Sequence, residues 1–552
     1  MTALTASSSE LAPAEVSQKL KALIKEVPEV RADAARLDEL RRLFGRLEAS
    51  GELKFGVAPP DNQVAAKWRS FLLKYHRKLV SQLCDRVILG RHAAIRCLWG
   101  VIAASPLTSQ NGMYKYVNAD LLQKWLRAMT LQEAEEMDKG TRHMVESEFL
   151  HTYRDVQYYA LGSITQLATA EYEKQNETSS STVAEKLLEL LMMIPIPTSD
   201  EELETAQYLC PPPKDAVPDA TVEESEGSDD EESDSDDEAD DSGDDGNSEE
   251  DDRISETRDR PAKRQKRDEH KFSFQRIRMF CREYQKAWLA ILKLSLPMRS
   301  LKRALQFLPQ NVLETVPSPL RFTDFYMQAY SDHGSGIVGV LALEGIFMLI
   351  TEYELEYPDF YKQLYRLVSP RVLFVKYRLR FFTLLTKCLM RNEMLPAHLI
   401  AAFTKRLCRS ALSAPPSGAL FALALVSNLL RKHPECACLI HRTGDTEIED
   451  QFLATENDPV ESKALHSSLW ELAVFERHYH PAVVTLAKSI GRVEELKAPP
   501  HNMEDFFGHT YKSLFDQERK KRTRTKTALT FKDPESLFTE DDIFSNILST
   551  RA

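Results

Sequence analysis

Residues 336–354 form an almost continuously apolar stretch, in which Glu344 is the first charged side chain. A helix that is apolar on nearly all sides must be covered by neighbouring helices. The residues around it, 321–442, have the pattern of further amphipathic helices separated by prolines and glycines. No catalytic cluster is scattered among them. This arrangement favours a helical scaffold over an enzyme.

Glycine is scarce in this chain, with 19 glycines against 27 prolines in 552 residues. Sheet-rich and nucleotide-binding folds use glycine at turns, so the scarcity favours helices joined by short breaks. Prolines such as Pro309, Pro396 and Pro481 recur where helices are expected to begin, and there the missing amide does no harm. The chain is too long for one core and has no strict repeat period. We therefore predict an all-α fold, an irregular HEAT-like α-solenoid in two helical blocks separated by a disordered acidic linker.

Four segments are expected along the chain. They are an N-terminal helical block over 1–197, a disordered acidic linker with a basic cluster over 198–270, a C-terminal helical block over 271–496 and a basic, extended tail over 497–552. Within the blocks, apolar residues at helical spacing predict helices over 64–89, 119–137, 144–159, 182–193, 274–294 and 370–391.

The linker carries the most one-sided charge. Residues 223–252 hold nineteen Asp or Glu and no Lys or Arg, and without them the net charge of −13 becomes +6. Such a tract buries too little apolar surface to offset the entropy lost on ordering. It is either a solvated spacer or a tail for basic partners such as histones, ribosomal proteins or chaperones. Serines with an acid three residues later are phosphorylation candidates: Ser228, Ser233, Ser235, Ser242 and Ser248.

Short basic clusters indicate where the protein works. One cluster supplies the nuclear-localisation candidates Lys263, Arg264, Lys266 and Arg267. With a second cluster near residue 520 and the acidic tract, it predicts a nuclear and nucleolar location. The sequence shows neither a secretory signal nor an uncharged apolar run of about twenty residues. The eight cysteines are therefore expected to be reduced thiols, and no membrane association is expected.

Two motifs invite a chemical interpretation. Residues 334–339 fit the dinucleotide pattern G-x-G-x-x-G, but that motif needs a preceding strand and residues 322–332 predict a helix. Residues 433–441 contain two cysteines separated by one residue, a poor arrangement for zinc. Both stretches are predicted to be helix termini. No cofactor, metal or small-molecule substrate is expected.

Basic side chains at helical spacing could meet the phosphates of an RNA without reading its sequence. The alternative is an ordinary solvated helix face. The RNA-contact candidates are Lys376, Arg380, Lys387, Lys405, Arg409, Arg519, Lys520, Lys521 and Arg522.

The same region resembles the CCAAT-binding-factor or maintenance-of-killer family. The residues that carry the resemblance are 355–361, 376–378, 380–382, 395–396, Phe403, 405–407, 428–430 and 433–434. The resemblance implies an α-solenoid without catalytic activity that assists assembly of the small ribosomal subunit. It also implies a stable heterodimer with nucleolar protein fourteen, other partners in the small-subunit processome, and action on precursor rRNA.

Two other functions stay open at this stage. One is a nuclear transport or chromatin adaptor that binds basic proteins, and the other is a large-subunit assembly factor of the same family. For the protein partner, the helical surface of 320–440 is the expected site, with Phe360 in the core. The partner-binding candidates are Leu355, Glu356, Tyr357, Pro358, Asp359, Tyr361, Tyr377 and Arg378.

Overall fold

The computed structural model describes residues 16–18, 20–22, 34–55, 62–89, 92–108, 115–131, 138–174, 181–211, 272–334, 336–392, 394–441, 450–492 and 499–520. This part of the chain is almost entirely helical. Its one sheet pairs β1, Leu107–Thr108, with β2, Lys115–Tyr116, in antiparallel register. The all-α prediction is confirmed. The chain divides into two compact units, Met1–Glu356 and Tyr357–Ala552.

Unit 1 begins with short and medium helices. They are α1 Ala34–Ala49, α2 Gln63–Ile88, α3 His92–Ala103, α4 Ala119–Thr130, α5 Lys139–Met144, a π-helix Val145–Leu150, α6 Arg154–Lys174, α7 Ser181–Met192 and α8 Asp200–Thr205. Asn62 caps α2, because its side-chain oxygen accepts a hydrogen bond from the Val64 amide at 3.0 Å. In the core, the ring of Trp99 lies 5.6 Å from Trp125 and 4.7 Å from Phe149.

The prediction of one helix over 144–159 is wrong in one respect, because the helix is interrupted between the π-helix and α6. The Asp155 carboxylate accepts hydrogen bonds from the Leu209 and Cys210 amides at 3.0 and 2.9 Å. The Arg154 amide donates to the Gln207 carbonyl at 3.0 Å. These contacts reach about fifty residues along the chain, so local periodicity carries no sign of them.

Unit 1 continues beyond the acidic tract. Its later helices are the 3₁₀ turns Ser273–Gln275 and Pro319–Phe322, then α9 Ile277–Leu292, α10 Met298–Asn311, α11 Thr323–His333 and α12 Ile337–Tyr353. Helix α9 packs on α6, and the Ser300 hydroxyl donates to Glu185 at 2.9 Å. Helices from both expected blocks therefore share one unit, while the segment boundaries themselves stay a prediction.

The apolar helix α12 is covered as its composition requires. Val340, Leu341, Ile346 and Leu349 are buried. Successive helices pack as pairs, α2 with α3 and α11 with α12, as an irregular HEAT-like solenoid requires. Pro309 lies inside α10 and not at a helix start, which corrects that expectation.

Gly345 of α12 gives a first testable prediction. A Cβ at this position would lie 2.2 Å from the ring of Tyr326, which is fully buried and has no room to move. We expect Gly345→Ala to lower the free energy of unfolding by about 1–3 kcal/mol, the usual cost of overpacking. Gly162→Ala in α6 is the matched control, since a Cβ there meets nothing within 4 Å. Urea denaturation checks both, and equal stability of the two variants would contradict the close packing.

Unit 2 is also helical. Its elements are α13 Phe360–Leu367, the 3₁₀ helices Pro370–Leu373, Pro434–Leu439 and Ala464–His466, α14 Arg378–Arg391, α15 Ala397–Ala411, α16 Pro416–Lys432, α17 Glu471–Phe475, α18 Pro481–Ile490, α19 Glu504–Phe507 and α20 Tyr511–Lys520. Helix α16 forms the centre, with every residue from Pro416 to Leu430 buried. It packs against α15 and α18, and the Phe382 ring of α14 stacks on Phe421 at 3.7 Å.

The eight cysteines all lie among the described residues. All eight cysteines are free thiols, and burial raises the pKa of Cys210 and of Cys436 to about 12. No helix in the described ranges has the length and apolar character needed to cross a membrane. The acidic tract at 223–252, the phosphorylation candidates and the nuclear-localisation candidates lie outside the described residues.

Candidate protein-binding and RNA-binding surfaces

The first two partner-binding candidates lie at the end of unit 1. Helix α12 ends at Tyr353, and its C-cap residue Glu354 adopts a left-handed conformation with φ of 56°. The Leu355 amide then donates back to the Leu349 carbonyl at 3.2 Å. Leu355 is half-buried and Glu356 is exposed.

The next candidates open unit 2. Pro358 and Asp359 form an exposed turn, and the Phe360 amide donates to the Tyr357 carbonyl at 3.2 Å. Helix α13 begins at Phe360, with Asp359 as its N-cap residue. Phe360 is 2% exposed, so its expected place in the core is confirmed.

Tyr361 joins this turn to a second loop. It is half-buried, and its hydroxyl accepts a hydrogen bond from the Asn392 amide group at 3.4 Å. Met394 on the same loop is 89% exposed. Tyr357, Pro358, Asp359, Tyr361 and Met394 constitute what we call the Tyr361 surface. Two tyrosines and a methionine are side-chain types that protein interfaces favour.

The helix predicted over 370–391 is broken, and this changes its basic face. Val372 and Phe381 are both buried, yet nine residues would place them on opposite sides of one continuous helix. A turn between the 3₁₀ helix and α14 lets both face inward. Lys376 lies in that turn, and Leu379, at the start of α14, is 50% exposed. Lys376 therefore does not share a helix face with Arg380 and Lys387, which are two turns apart on α14.

Two further candidates flank this turn. Tyr377 is half-buried and precedes α14. Arg378 donates from Nη2 to the His509 carbonyl at 2.6 Å, so its guanidinium fastens the segment before α20 onto α14. That bond gives Arg378 a structural role within unit 2.

Lys405 is not a surface residue, which contradicts its assignment as an RNA contact. Its side chain has 0% exposure, and so has that of Glu471, its ion-pair partner at 2.9 Å. The ammonium also donates to the Ser468 carbonyl at 2.5 Å and lies 3.3 Å from the Asp450 carboxylate. Burial raises the pKa of Glu471, and the Lys405 charge opposes that rise. A buried cation requires such partners, so this lysine joins α15 to α17.

Arg409, one turn along α15, is exposed and borders an aromatic surface. Its guanidinium carbon lies 5.7 Å from the ring centre of Trp470 and 5.9 Å from that of Phe452. Trp470 is 43% exposed and donates from Nε1 to Asp450 at 3.1 Å.

Leu412 and Val474 extend this area, since each follows a member by about one helical turn and is exposed at 36% and 50%. We call Arg409, Leu412, Trp470 and Val474 the Trp470 surface. Trp and Arg dominate the energetics of protein interfaces. Sequence reasoning missed Trp470, because α17 has only five residues and shows no usable periodicity.

The C-terminal basic candidates are only partly described. Arg519 and Lys520 end α20, and Arg519 pairs with Asp516 at 3.3 Å. Lys521 and Arg522 lie outside the described residues. On the same helix Tyr511 and Phe515, four residues apart, are 65% and 67% exposed.

The structure also shows the surroundings of the dinucleotide-like motif at 334–339 and of the cysteine pair at 433–441. Helix α11 precedes the glycines at 334–339, where a dinucleotide site needs a strand, and a Cβ on Gly339 would lie 2.4 Å from the Gly334 carbonyl oxygen. The glycines thus allow a close approach at the start of α12. Cys436 is fully buried, with its Sγ 3.5 Å from the Ala397 carbonyl. Within the described ranges, no group of three or more His, Cys, Asp or Glu could hold a metal ion.

Comparison with known proteins identifies the region that holds these surfaces. Residues 339–487 match the model of the CBF/Mak21 family, so the family resemblance is confirmed there. The chain is 40% identical over 260 residues to the nucleolar complex protein 4 homolog of Mus musculus, covering 47% of this chain and 49% of that protein.

Two further relatives agree. Identity to the Homo sapiens homolog is 41% over 251 residues, covering 45% of this chain and 48% of that protein. Identity to nucleolar complex protein 4 of Saccharomyces cerevisiae is 35% over 285 residues, covering 48% and 51%. The chain thus spans about half the length of the curated relatives it matches.

Proposed function

We propose that this protein is a nucleolar scaffold for ribosome biogenesis. It carries a CBF/Mak21 domain, and about half of its length is similar to nucleolar complex protein 4. The similarity to these relatives is the observation that carries the proposal. Their name supports a nucleolar, and hence nuclear, location. A scaffold without enzymatic activity fits a helical domain whose exposed features are aromatic and basic surfaces.

More specifically, we propose that the protein acts in the small-subunit processome on precursor rRNA, as a heterodimer with nucleolar protein fourteen. The family resemblance suggests both partners. The Trp470 surface supports binding of a protein partner in unit 2, because an exposed indole beside a guanidinium and two aliphatic side chains combines apolar area with one charge. The Tyr361 surface is the second candidate in unit 2.

Contact with rRNA would use cations that the fold leaves exposed. Lys376 and Lys387 are exposed, and within the described residues neither forms an ion pair. Arg380 is half-buried on the same face of α14 as Lys387. Lys405 is excluded from this set by its burial.

Depletion of the protein tests the proposed function. We expect mature small-subunit rRNA to fall and its precursors to accumulate, while large-subunit rRNA stays comparatively intact. Northern blotting of both rRNAs provides the measurement. Loss of large-subunit rRNA alone would assign the protein to large-subunit assembly instead.

Affinity purification followed by mass spectrometry tests the adaptor alternative. We expect nucleolar protein fourteen and other processome proteins to be recovered together with the tagged chain. Recovery of histones or importins without processome proteins would overturn the proposal in favour of a transport or chromatin adaptor.

A further inference from the structure

Helix α2 of unit 1 exposes a line of positive charge that the sequence patterns above did not single out. Lys67, Lys74, Arg77 and Lys78 are all exposed, as are Ser70, between the first two, and Ser81, one turn beyond Lys78. The spacing of three or four residues places them along one side of the helix. From Lys67 to Lys78 the helix rises roughly 16 Å at about 1.5 Å per residue. The opposite side, with Leu72, Leu79 and Leu83, is buried.

Most of helix α2 carries no acid that could balance this face. Residues 63–84 contain no Asp or Glu. Along the chain, Asp61 precedes the helix and lies outside the described residues. The nearest described acids are Asp85, at the far end, and Glu52, which accepts a hydrogen bond from the Trp68 indole at 3.0 Å. Within the described residues, neither carboxylate forms an ion pair with the four cations.

A fifth cation extends the face onto a second helix. Lys124 of α4 is exposed, and α4 packs against α2. Lys124 of α4 and Arg77 of α2 both lie near the buried His76. Burial lowers the pKa of His76 to about 4, and the charges of Lys124 and Arg77 contribute to this. Both cations therefore act on one imidazole ring. The positive charge is therefore spread across two helices that pack against each other.

We propose that this basic face, formed by Lys67, Lys74, Arg77, Lys78 and Lys124, binds the phosphate backbone of RNA. For the identity of the RNA as precursor rRNA, the inference rests on the proposed function; for RNA binding itself it does not. Lysines along a straight helix neutralise successive phosphates as point charges and position a nucleic acid without reading its bases.

An acidic protein is the alternative occupant, and the exposed side chains favour RNA over it. Stable protein interfaces bury an apolar core with aromatic anchors. Along this face, Val64 at its beginning is the exposed large apolar side chain among the described residues. The exposed Ser70 lies between Lys67 and Lys74, and the exposed Ser81 follows Lys78 by one turn; their hydroxyls suit phosphate oxygens.

The test measures binding of the full-length protein to a fluorescent 30-nucleotide RNA over a range of salt concentrations. The variant Lys74→Gln/Arg77→Gln/Lys78→Gln removes three exposed cations. Since each phosphate contact contributes about 0.7 to the salt slope for single strands, we expect the slope of log K against log salt to become shallower by about 2. Affinity at low salt should fall at least tenfold.

A matched control removes equal charge from another helix of unit 1. Arg278→Gln/Arg282→Gln/Lys293→Gln changes three exposed cations of α9 and the residue after it, and should leave the slope unchanged. An equal loss in both variants would reduce the effect to net charge and overturn the proposal. Unchanged binding by the α2 variant would overturn it as well.

A second probe separates RNA from acidic protein. A polyglutamate peptide of matched charge should compete at least tenfold more weakly than the RNA, and equal competition would make an acidic protein the occupant. Failure of this proposal is distinct from failure of the proposed function. If the α2 variant keeps its affinity while depletion impairs small-subunit rRNA, only the RNA-binding proposal fails. If the variant binds less RNA while depletion leaves rRNA intact, only the proposed function fails.

Discussion

Replacing Lys405 with methionine is expected to lower the free energy of unfolding of unit 2 by about 3–5 kcal/mol, because it leaves a buried carboxylate without its counter-ion. The ion pair with Glu471 is fully buried on both sides. Loss of the ammonium also leaves the Ser468 carbonyl without its donor and removes the charge beside Asp450. Methionine fills a similar volume, so the lost charge, and not a cavity, accounts for the cost.

The double replacement Lys405→Met/Glu471→Leu identifies the source of that cost. Removing both charges replaces the pair with apolar side chains, which is often close to neutral. We therefore expect the double variant to recover most of the stability lost by the single variant. Lys387→Met removes an exposed cation from the same unit and should change stability by less than about 0.5 kcal/mol.

Urea denaturation combined with hydrogen exchange of α15 and α17 peptides gives the readout. Lower protection should be concentrated in these two helices, since the pair joins them. If the double variant is as unstable as the single one, or if Lys405→Met behaves like Lys387→Met, the ion pair does not stabilise unit 2.

Periodicity predicted the elements whose burial depends on local pattern alone. Helices α2 and α7 lie within one residue of their predicted limits. In α9 the apolar residues at helical spacing, Cys281, Tyr284, Trp288 and Ile291, are buried, while Ile277 at the first position is half-buried. Each of these helices has one apolar side, and three-to-four spacing identifies that side without knowledge of its neighbours.

Contacts distant in sequence account for what the pattern did not predict. Lys405 has the spacing of an exposed lysine, yet its ammonium is buried and bonds to the carboxylate of Glu471, 66 residues later in the chain. Its neighbour Arg406 stacks over Tyr365 at 4.2 Å and donates to the Val368 and Glu456 carbonyls, both at 2.9 Å. Of the residues that carry the family resemblance, Lys405 and Arg406 thus hold loops in place. Their role is structural, so a partner would contact the exposed residues beside them.

Arg409 and Trp470 are those exposed residues, and contacts of the buried Lys405 with Asp450 and Glu471 lie beside Trp470. Trp470 directly precedes Glu471, and its indole donates to Asp450, which also contacts Lys405. The ring is thereby held in one orientation before any partner binds. A preorganised aromatic side chain loses little entropy on binding, so the Trp470 surface is our preferred site for nucleolar protein fourteen.

Trp470→Ala is therefore expected to weaken binding of nucleolar protein fourteen at least roughly 30-fold, the effect of losing a hot spot worth about 2 kcal/mol or more. Arg409→Ala should weaken it less, since the cation lies at the margin of the ring. Isothermal titration with the full-length proteins measures both affinities. Tyr479→Ala is the control, because this ring is 74% exposed and stacks on His478, away from the Asp450 contact.

The same titration compares the two candidate surfaces. Tyr361→Ala removes the aromatic centre of the Tyr361 surface, where the hydroxyl contacts Asn392. If Tyr361→Ala abolishes binding while Trp470→Ala leaves it intact, the partner occupies the Tyr361 surface. Under our proposal the order is reversed. Trp470 then anchors the partner, and Lys405→Met lowers affinity as well, because Lys405 contacts Asp450, which accepts the hydrogen bond of the indole.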